Sequence, residues 1–160
     1  MKVILQDITK VESEAVVVGF FEDVRPLKGL AGRLDWLLCG SLSSLLISKK
    51  LRGSLGEVAL LTSRGKVPAQ KVFLIGLGPA SGFTLPALRS AARTAAASVT
   101  GAGAVSAAFE YLRPHRTAHE AGVPALQEGL SEGAGGRGLA VSLLAPDKAA
   151  YQELSRLVNG

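Results

Sequence analysis

The stretch KVFLIGLGPASGFTLPALRSAARTAAASV, residues 71–99, decides the fold class of this chain of 160 residues. It runs from an apolar segment through a glycine-rich bend into a segment rich in alanine. Thr84 is placed to cap a helix that runs to about Ser98, and Pro86 is tolerated in the first turn of that helix. Strand, tight turn and helix in this order indicate an α/β protein.

The same alternation of strand and helix patterns extends over the rest of the chain. Short apolar segments predict strands over residues 2–6, 15–21, 57–63, 71–77 and 139–144, with a further apolar run over residues 103–109. Helical spacing runs from Leu30 to Leu46 with an interruption at Gly40, which marks a bend or a split into two helices, and it returns over residues 84–98, 117–130 and 147–158.

These elements predict one domain over residues 1–160. The segments 57–63 and 71–77 form a strand pair across a turn with Gly65 and Pro68, and residues 133–138 form a flexible turn. The unbroken apolar run of residues 15–21 is typical of a strand buried on both faces. We therefore expect a mixed, mostly parallel sheet with helices on both faces, in three layers.

The composition is that of an ordered globular protein, with 48% hydrophobic and 19% charged residues. The single cysteine, Cys39, cannot form an internal disulfide, and its leucine-rich surroundings predict that it packs as a small apolar residue. This cysteine usage favours a reducing cytoplasm. No run approaches the roughly 18 apolar residues of a membrane span, so no membrane partner is expected.

Basic residues outnumber acidic ones, and the formal net charge is +5. A basic surface attracts polyanions such as nucleic acid, with an affinity that falls steeply with salt. Most of the basic residues are scattered, and one local group stands out as a possible basic patch: Lys49, Lys50, Arg52, Arg64 and Lys66.

The glycine-rich bend is a candidate anion or ligand loop, because free amides at a helix start attract phosphate. A dinucleotide fingerprint would need a third glycine where Ser81 stands, and Gly82 comes one residue late. The expected acidic residue at a strand end is also missing, since the next acid along the chain is Glu110. The candidate loop residues are Gly76, Gly78, Ser81, Gly82 and Thr84.

The remaining histidine, acidic and asparagine residues do not predict a catalytic or metal site. His115 and His119 are four residues apart, but Arg116 follows the first, and we interpret both as surface histidines. Glu22 and Asp23 follow a strand and are expected in a solvated loop. The only asparagine is Asn159, so no mechanism that needs an interior asparagine is available.

Three segments together carry a family resemblance. They are residues 13–23 (SEAVVVGFFED), 51–61 (LRGSLGEVALL) and 71–78 (KVFLIGLG), followed by a helix rich in alanine and arginine. In this order they resemble the N-terminal domain of the leucine (cytosol) aminopeptidase family. The last predicted strand, with Ala145-Pro146-Asp147, is similar to the end of that domain.

The resemblance implies a macro-domain-like fold without catalytic residues, metal ligands or cofactor. In that family a separate C-terminal domain binds two metal ions, and its signature Asn-Thr-Asp-Ala-Glu-Gly-Arg does not occur here. The implied role is that of a non-catalytic module for assembly, regulation or interaction. Its implied partner is another copy of the chain or an aminopeptidase-type catalytic domain.

Two alternative functions stay open. Macro domains proper bind ADP-ribose, with asparagines just after the strand that corresponds to residues 15–19, where this chain has Gly19-Phe20-Phe21. A nucleotide-like or phosphorylated ligand bound at the glycine-rich loop is therefore the first alternative. Nucleic-acid binding through the basic patch is the second.

Overall fold

The computed structural model describes residues 1–160 as a single sheet between helices. The strands are β1 (Lys2–Ile4), β2 (Ala15–Phe20), β3 (Val58–Thr62), β4 (Lys71–Gly76), β5 (Ser106–Glu110) and β6 (Ala140–Leu144). The helices are α1 (Gly29–Leu37), α2 (Ser41–Ile47), α3 (Leu85–Gly101), α4 (His119–Ala134) and α5 (Lys148–Asn159). The predicted elements are thus present, with ends that differ by a few residues.

The six strands lie in the order β1-β6-β5-β2-β4-β3. Every neighbouring pair is parallel except β3 with β4, which is antiparallel. This arrangement confirms the mixed, mostly parallel sheet. The hairpin between β3 and β4 makes β3 one edge of the sheet, and β1 is the other edge.

Two hydrophobic cores cover the two faces of the sheet. Ala15 and Val17 of β2 pack with α3, α4 and α5, whereas Val16 and Val18 pack with α1 and α2. All four side chains are buried, because alternate residues of a strand point to opposite faces and both faces are covered. The predicted three layers are therefore confirmed.

Helices α3 and α4 pack closely because glycine lies at their interface. A Cβ atom on Gly129 would lie 2.3 Å from the carbonyl oxygen of Arg89, and one on Gly133 would lie 2.1 Å from that of Arg93. The prediction that a flexible turn begins at Gly133 was therefore wrong. Helix α4 continues to Ala134 because α3 supplies a surface against which only glycine fits, and the turn follows from Gly135.

Local signals at the helix ends are confirmed. The Thr84 side chain caps α3 by accepting a hydrogen bond from the Ala87 amide at 3.4 Å. Gly40 has a φ of +80° and separates α1 from α2. No single helix is long and apolar enough to cross a membrane, and the one pair that reaches this length and composition together, α1 and α2, is bent by 107°.

Candidate functional site

The carboxyl ends of β2 and β5 meet at the point where the chain connections diverge. The chain leaves β2 toward α1 on one face of the sheet, and it leaves β5 toward α4 on the other face. In open α/β sheets such a divergence leaves a crevice outside the strand ends, where ligands bind. This crevice is the candidate functional site.

Glu110 ends β5 and fills the bottom of this crevice. Its Oε2 accepts a hydrogen bond from the Gly19 amide of β2 at 3.4 Å, and its Oε1 accepts one from the Leu30 amide at 3.1 Å. Gly29, with a φ of +60°, opens α1 here, and a Cβ on it would lie 3.1 Å from Glu110 Oε1. One carboxylate therefore connects β5, β2 and the start of α1.

The electrostatics of Glu110 are dominated by its burial. Burial raises the pKa of this carboxyl from 4.5 to about 7, because removal from water disfavours the charged form. The hydrogen bonds from the Leu30 and Gly19 amides act in the opposite direction and lower the pKa. Glu110 consequently changes protonation near neutral pH.

An open cavity of about 470 Å³ lies above Glu110. Its walls come from the segment after β1, the start of α1 and the segments that follow β5 and β6. Charged side chains occur in the wall, where Arg33 Nη2 lies 3.7 Å from Asp7 Oδ2. The cavity thus combines a mixed-charge wall with a carboxyl at its base.

The glycine-rich loop lies one strand away, between β4 and α3. Six of its amides donate hydrogen bonds to acceptors of the protein: Gly76 to Glu57, Leu77 to Phe20, Gly78 to Gly53, Ala80 to the Asp23 side chain, Gly82 to Pro79 and Phe83 to Ala80. The Oγ1 atom of Thr84 accepts a hydrogen bond from the Ala87 amide of α3. Gly76, Gly78, Ser81, Gly82 and Thr84 do lie together in one segment, and the hydrogen bonds of that segment hold it in a fixed turn.

The first glycine of this loop is required by close packing. A Cβ on Gly76 would lie 2.1 Å from the carbonyl oxygen of Ser54, which is shorter than any ordinary contact. The segment before β3 therefore passes directly over the loop. Gly53, with a φ of +94°, accepts the hydrogen bond from the Gly78 amide.

The structure does not bring the predicted basic patch together. The carbonyl of Gly53, next to Arg52, lies beside Gly78 just past the carboxyl end of β4, whereas Arg64 and Lys66 lie in the turn at the amino end of β4. A strand of six residues separates these positions by about 20 Å. The side chains of Lys49, Lys50, Arg52, Arg64 and Lys66 are all exposed.

Tyr111, His119 and Glu153 form a second polar group beside the crevice. The prediction that His119 lies on the surface was wrong. The Tyr111 hydroxyl lies 2.9 Å from His119 Nδ1, and His119 Nε2 lies 3.4 Å from Glu153 Oε2. His119 is buried rather than on the surface, because α5 covers it from one side and Tyr111 from the other. Burial also raises the pKa of Tyr111 to about 12.

Two further sequence predictions can be placed. Cys39 is exposed, not packed as an apolar residue, because the break between α1 and α2 gives it a φ of +56° outside the helical stripe. Asp23 lies in a loop, but its Oδ1 accepts a hydrogen bond from the Ala80 amide at 3.0 Å. No group of three or more His, Cys, Asp and Glu side chains is arranged to hold a metal ion.

Comparison with known proteins identifies the family. The sequence profile described as "Cytosol aminopeptidase family, N-terminal domain" matches residues 17–134. The chain belongs to the cytosol aminopeptidase family. The part present corresponds to the N-terminal domain of that family and not to its catalytic domain.

A curated relative agrees with this assignment, and a solved structure shares the fold. A probable cytosol aminopeptidase of Geobacter sulfurreducens is 37% identical over 103 residues, which are 64% of this chain and 21% of the relative. A mutant tomato leucine aminopeptidase has a TM-score of 0.71 at 16% identity, covering 98% of this chain and 35% of the tomato chain. The alignment to the Geobacter relative thus spans about a fifth of that protein's length.

The fold is shared with macrodomains. The macrodomain of Mycobacterium tuberculosis DarG has a TM-score of 0.71 at 10% identity, and the match covers 91% of this chain and 97% of the macrodomain. At this identity the likeness shows the fold alone. It confirms the predicted macro-domain-like architecture of this aminopeptidase N-terminal domain.

Sequence reasoning missed Glu110 as a site residue. In the sequence it appeared only as an acid too far along the chain for a dinucleotide fingerprint. One signal was available, since an acidic residue that directly follows the apolar triplet Ala107-Ala108-Phe109 comes at the end of a buried strand. Its neighbours, Gly19 and Leu30, are about 80 to 90 residues away along the chain, so no local pattern indicates them.

Proposed function

We propose that this aminopeptidase N-terminal domain is a non-catalytic module that assembles with other chains. The observation that carries the proposal is the position of Glu110. At the crevice where other α/β proteins hold a ligand, this chain places its own carboxyl group against the amides of Gly19 and Leu30. The carboxyl group of the chain itself therefore uses these two amides, and the proposal assigns the function to the outer surfaces.

The proposed partners are a second copy of the chain or an aminopeptidase-type catalytic domain in the cytoplasm. The family assignment supports this choice, because the relatives combine a segment similar to this chain with a much longer remainder. The proposal includes no hydrolytic activity for the chain by itself.

The test combines an association measurement with an activity measurement. Light scattering on the purified chain, alone and mixed with the catalytic domain of the Geobacter relative, is expected to show self-association or a complex. Leucyl substrates with added zinc or manganese are expected to remain intact in the presence of the chain alone. Turnover that a chelator abolishes, or a monomer that binds no catalytic domain, would contradict the proposal.

A small nucleotide-like or phosphorylated ligand is the second candidate. The cavity of about 470 Å³ above Glu110 supports it, because its volume falls within the ordinary range for small-molecule sites. Titration calorimetry with ADP-ribose tests this candidate. Heat that saturates and disappears when Arg33 is replaced by alanine would support it, and no heat at millimolar ligand would contradict it.

A further inference from the structure

The two edges of the sheet differ in how they are protected. Strand β1 has three residues, includes Lys2 and packs against α5. Strand β3 has five residues, VALLT, without a charge or a proline. Natural sheets protect their edges with short strands, charges, proline or a covering element, because an open edge pairs with other strands. The β3 edge has none of these devices.

The hydrogen bonds of the hairpin show which β3 residues face outward. The Gly76 amide donates to the Glu57 carbonyl at one end, and the Ser63 amide donates to the Gln70 carbonyl at the other end. Antiparallel pairing alternates, so residues 57, 59, 61 and 63 direct their backbone groups to β4. The amides and carbonyls of Val58, Leu60 and Thr62 therefore point to the open edge.

The side chains of the same residues are exposed as well. Val58 is 37% and Leu60 is 49% exposed, and neighbouring Leu55 is 47% exposed. In contrast, Ala59 and Leu61 pack against the core beneath α1 and α2. The edge thus presents unpaired backbone groups together with uncovered apolar side chains.

We propose that β3 is a self-association surface at which two copies of this chain pair antiparallel about a two-fold axis through Leu60. Leu60 then lies opposite Leu60 of the other copy, and Val58 lies opposite Thr62. Since the outward backbone groups belong to these residues, each pair exchanges two hydrogen bonds. The result is one continuous sheet across both copies, which is a recurring mode of recognition between chains.

The charges beside β3 favour this direction of pairing. The acidic residue Glu57 precedes the strand, and the basic residues Arg64 and Lys66 follow it. Although the Glu57 carboxylate also accepts hydrogen bonds from the Arg52 and Gly53 amides of its own chain, an antiparallel pair brings Glu57 of one copy toward Arg64 and Lys66 of the other, at both ends of the interface. A parallel pair would bring like charges together, which is unfavourable.

This inference rests on the proposed assembly role and names the surface and the partner for it. A pairing of five-residue strands is small for a protein interface, so a dissociation constant on the order of micromolar or weaker is expected. The measurement must therefore cover a wide range of protein concentration.

Sedimentation velocity on the wild type and two matched variants tests the surface. Leu60→Lys places a charge on the open edge, and we expect association to weaken about tenfold or more. Ile47→Lys is the control, because Ile47 is 81% exposed on α2, away from the edge strand, and we expect it to associate like the wild type. Circular dichroism confirms that each variant is folded.

The outcomes separate this inference from the proposed function. A wild type that stays monomeric at all concentrations overturns pairing at β3, and binding of a catalytic domain would still support the assembly role. Self-association that only Ile47→Lys weakens, or that both variants weaken equally, overturns the β3 surface and retains self-association. Loss of association in Leu60→Lys alone supports the inference.

Cross-linking in a Cys39→Ser background tests the register. Leu60→Cys places the two thiols on directly opposed residues, whose Cα atoms are about 5.5 Å apart, whereas Val58→Cys places them about 14 Å apart. We expect a short bifunctional thiol reagent to link the first variant and not the second. Equal or preferential linking of Val58→Cys would overturn the two-fold register through Leu60.

Discussion

The glycine-rich loop between β4 and α3 and the crevice between β2 and β5 lie at the same edge of the sheet, and they hold their backbone amides in different ways. The loop uses several different acceptors: Pro79 within the loop, Gly53 in the segment over it, and Phe20 and Asp23 at the end of β2. The crevice uses one buried carboxyl, Glu110, which accepts from residues far away in sequence. The loop is therefore visible as a motif, whereas the crevice depends on one side chain that responds to pH.

The largest expected effect concerns the crevice and its dependence on pH. The folded-state pKa of Glu110, about 7, lies above the unfolded value of 4.5, so the folded protein binds the proton more tightly. The tighter binding of this proton stabilises the folded state. The stabilisation is fully present below the unfolded pKa of 4.5 and is lost as the pH rises through 7. The shift corresponds to about 3 kcal/mol.

Glu110→Gln is the matched variant for this measurement, since an amide has the shape of the protonated acid and does not titrate. We expect the free energy of unfolding of the wild type to fall by about 3 kcal/mol relative to Glu110→Gln between pH 4.5 and pH 8. Urea unfolding at several pH values measures it. A difference that does not change with pH would show that Glu110 is not buried as described.

The next effect concerns the close packing of the loop. Gly76→Ala adds a methyl group that would lie 2.1 Å from the Ser54 carbonyl oxygen. We expect the free energy of unfolding to fall by about 2 to 3 kcal/mol. Gly82→Ala in the same loop is the control, because its Cβ would meet only the Pro79 Cγ atom, at 3.3 Å. Urea unfolding of both variants checks this. Equal losses would indicate that the loop moves away from the segment over it.

A smaller effect is expected at the helix start. Thr84→Ala removes the acceptor of the Ala87 amide, and the free energy of unfolding should fall by about 1 kcal/mol. Thr84→Ser retains an oxygen that can cap the helix and should recover most of this loss. If alanine and serine were equally tolerated, the cap would make no contribution in the folded chain.

The smallest effect is expected at Asp23, whose exposed carboxylate accepts from the Ala80 amide at 3.0 Å. Asp23→Ala should lower the free energy of unfolding by about 0.5 to 1 kcal/mol. The substitution also frees the Ala80 amide of the loop and removes a negative charge. Calorimetry with ADP-ribose on this variant and the wild type then tests the loop as an anion site. Stronger binding by the variant would support the loop, equal binding by the variant and the wild type would favour the crevice, and no heat from either would contradict both sites.

Much of the fold could be predicted because its signals are local. The apolar run of β2, the cap at Thr84 and the bend at Gly40 each depend on a few neighbouring residues, and each was found in its predicted place. The family resemblance came from three such segments in order, and the sequence profile confirmed it. Of the candidate site, the sequence indicated the loop and not the crevice.

Two of the errors share one cause, which is contact between segments far apart in the chain. Gly133 was expected in a turn, but it continues α4 because the Arg93 carbonyl on α3 lies against it. His119 was expected on the surface, but Tyr111 and Glu153 enclose it. No periodicity within a single segment contains this information.

By itself, the sequence determined the order of strands and helices, the family and the positions of the main turns, because these follow from periodicity and from the backbone preferences of single residues. Only the tertiary structure decided that Glu110 reaches Gly19 and Leu30, that the basic residues lie at opposite ends of β4, and that β3 is an open edge. The reason is physical: burial, shifted pKa values and free hydrogen-bonding edges depend on which segments pack against one another.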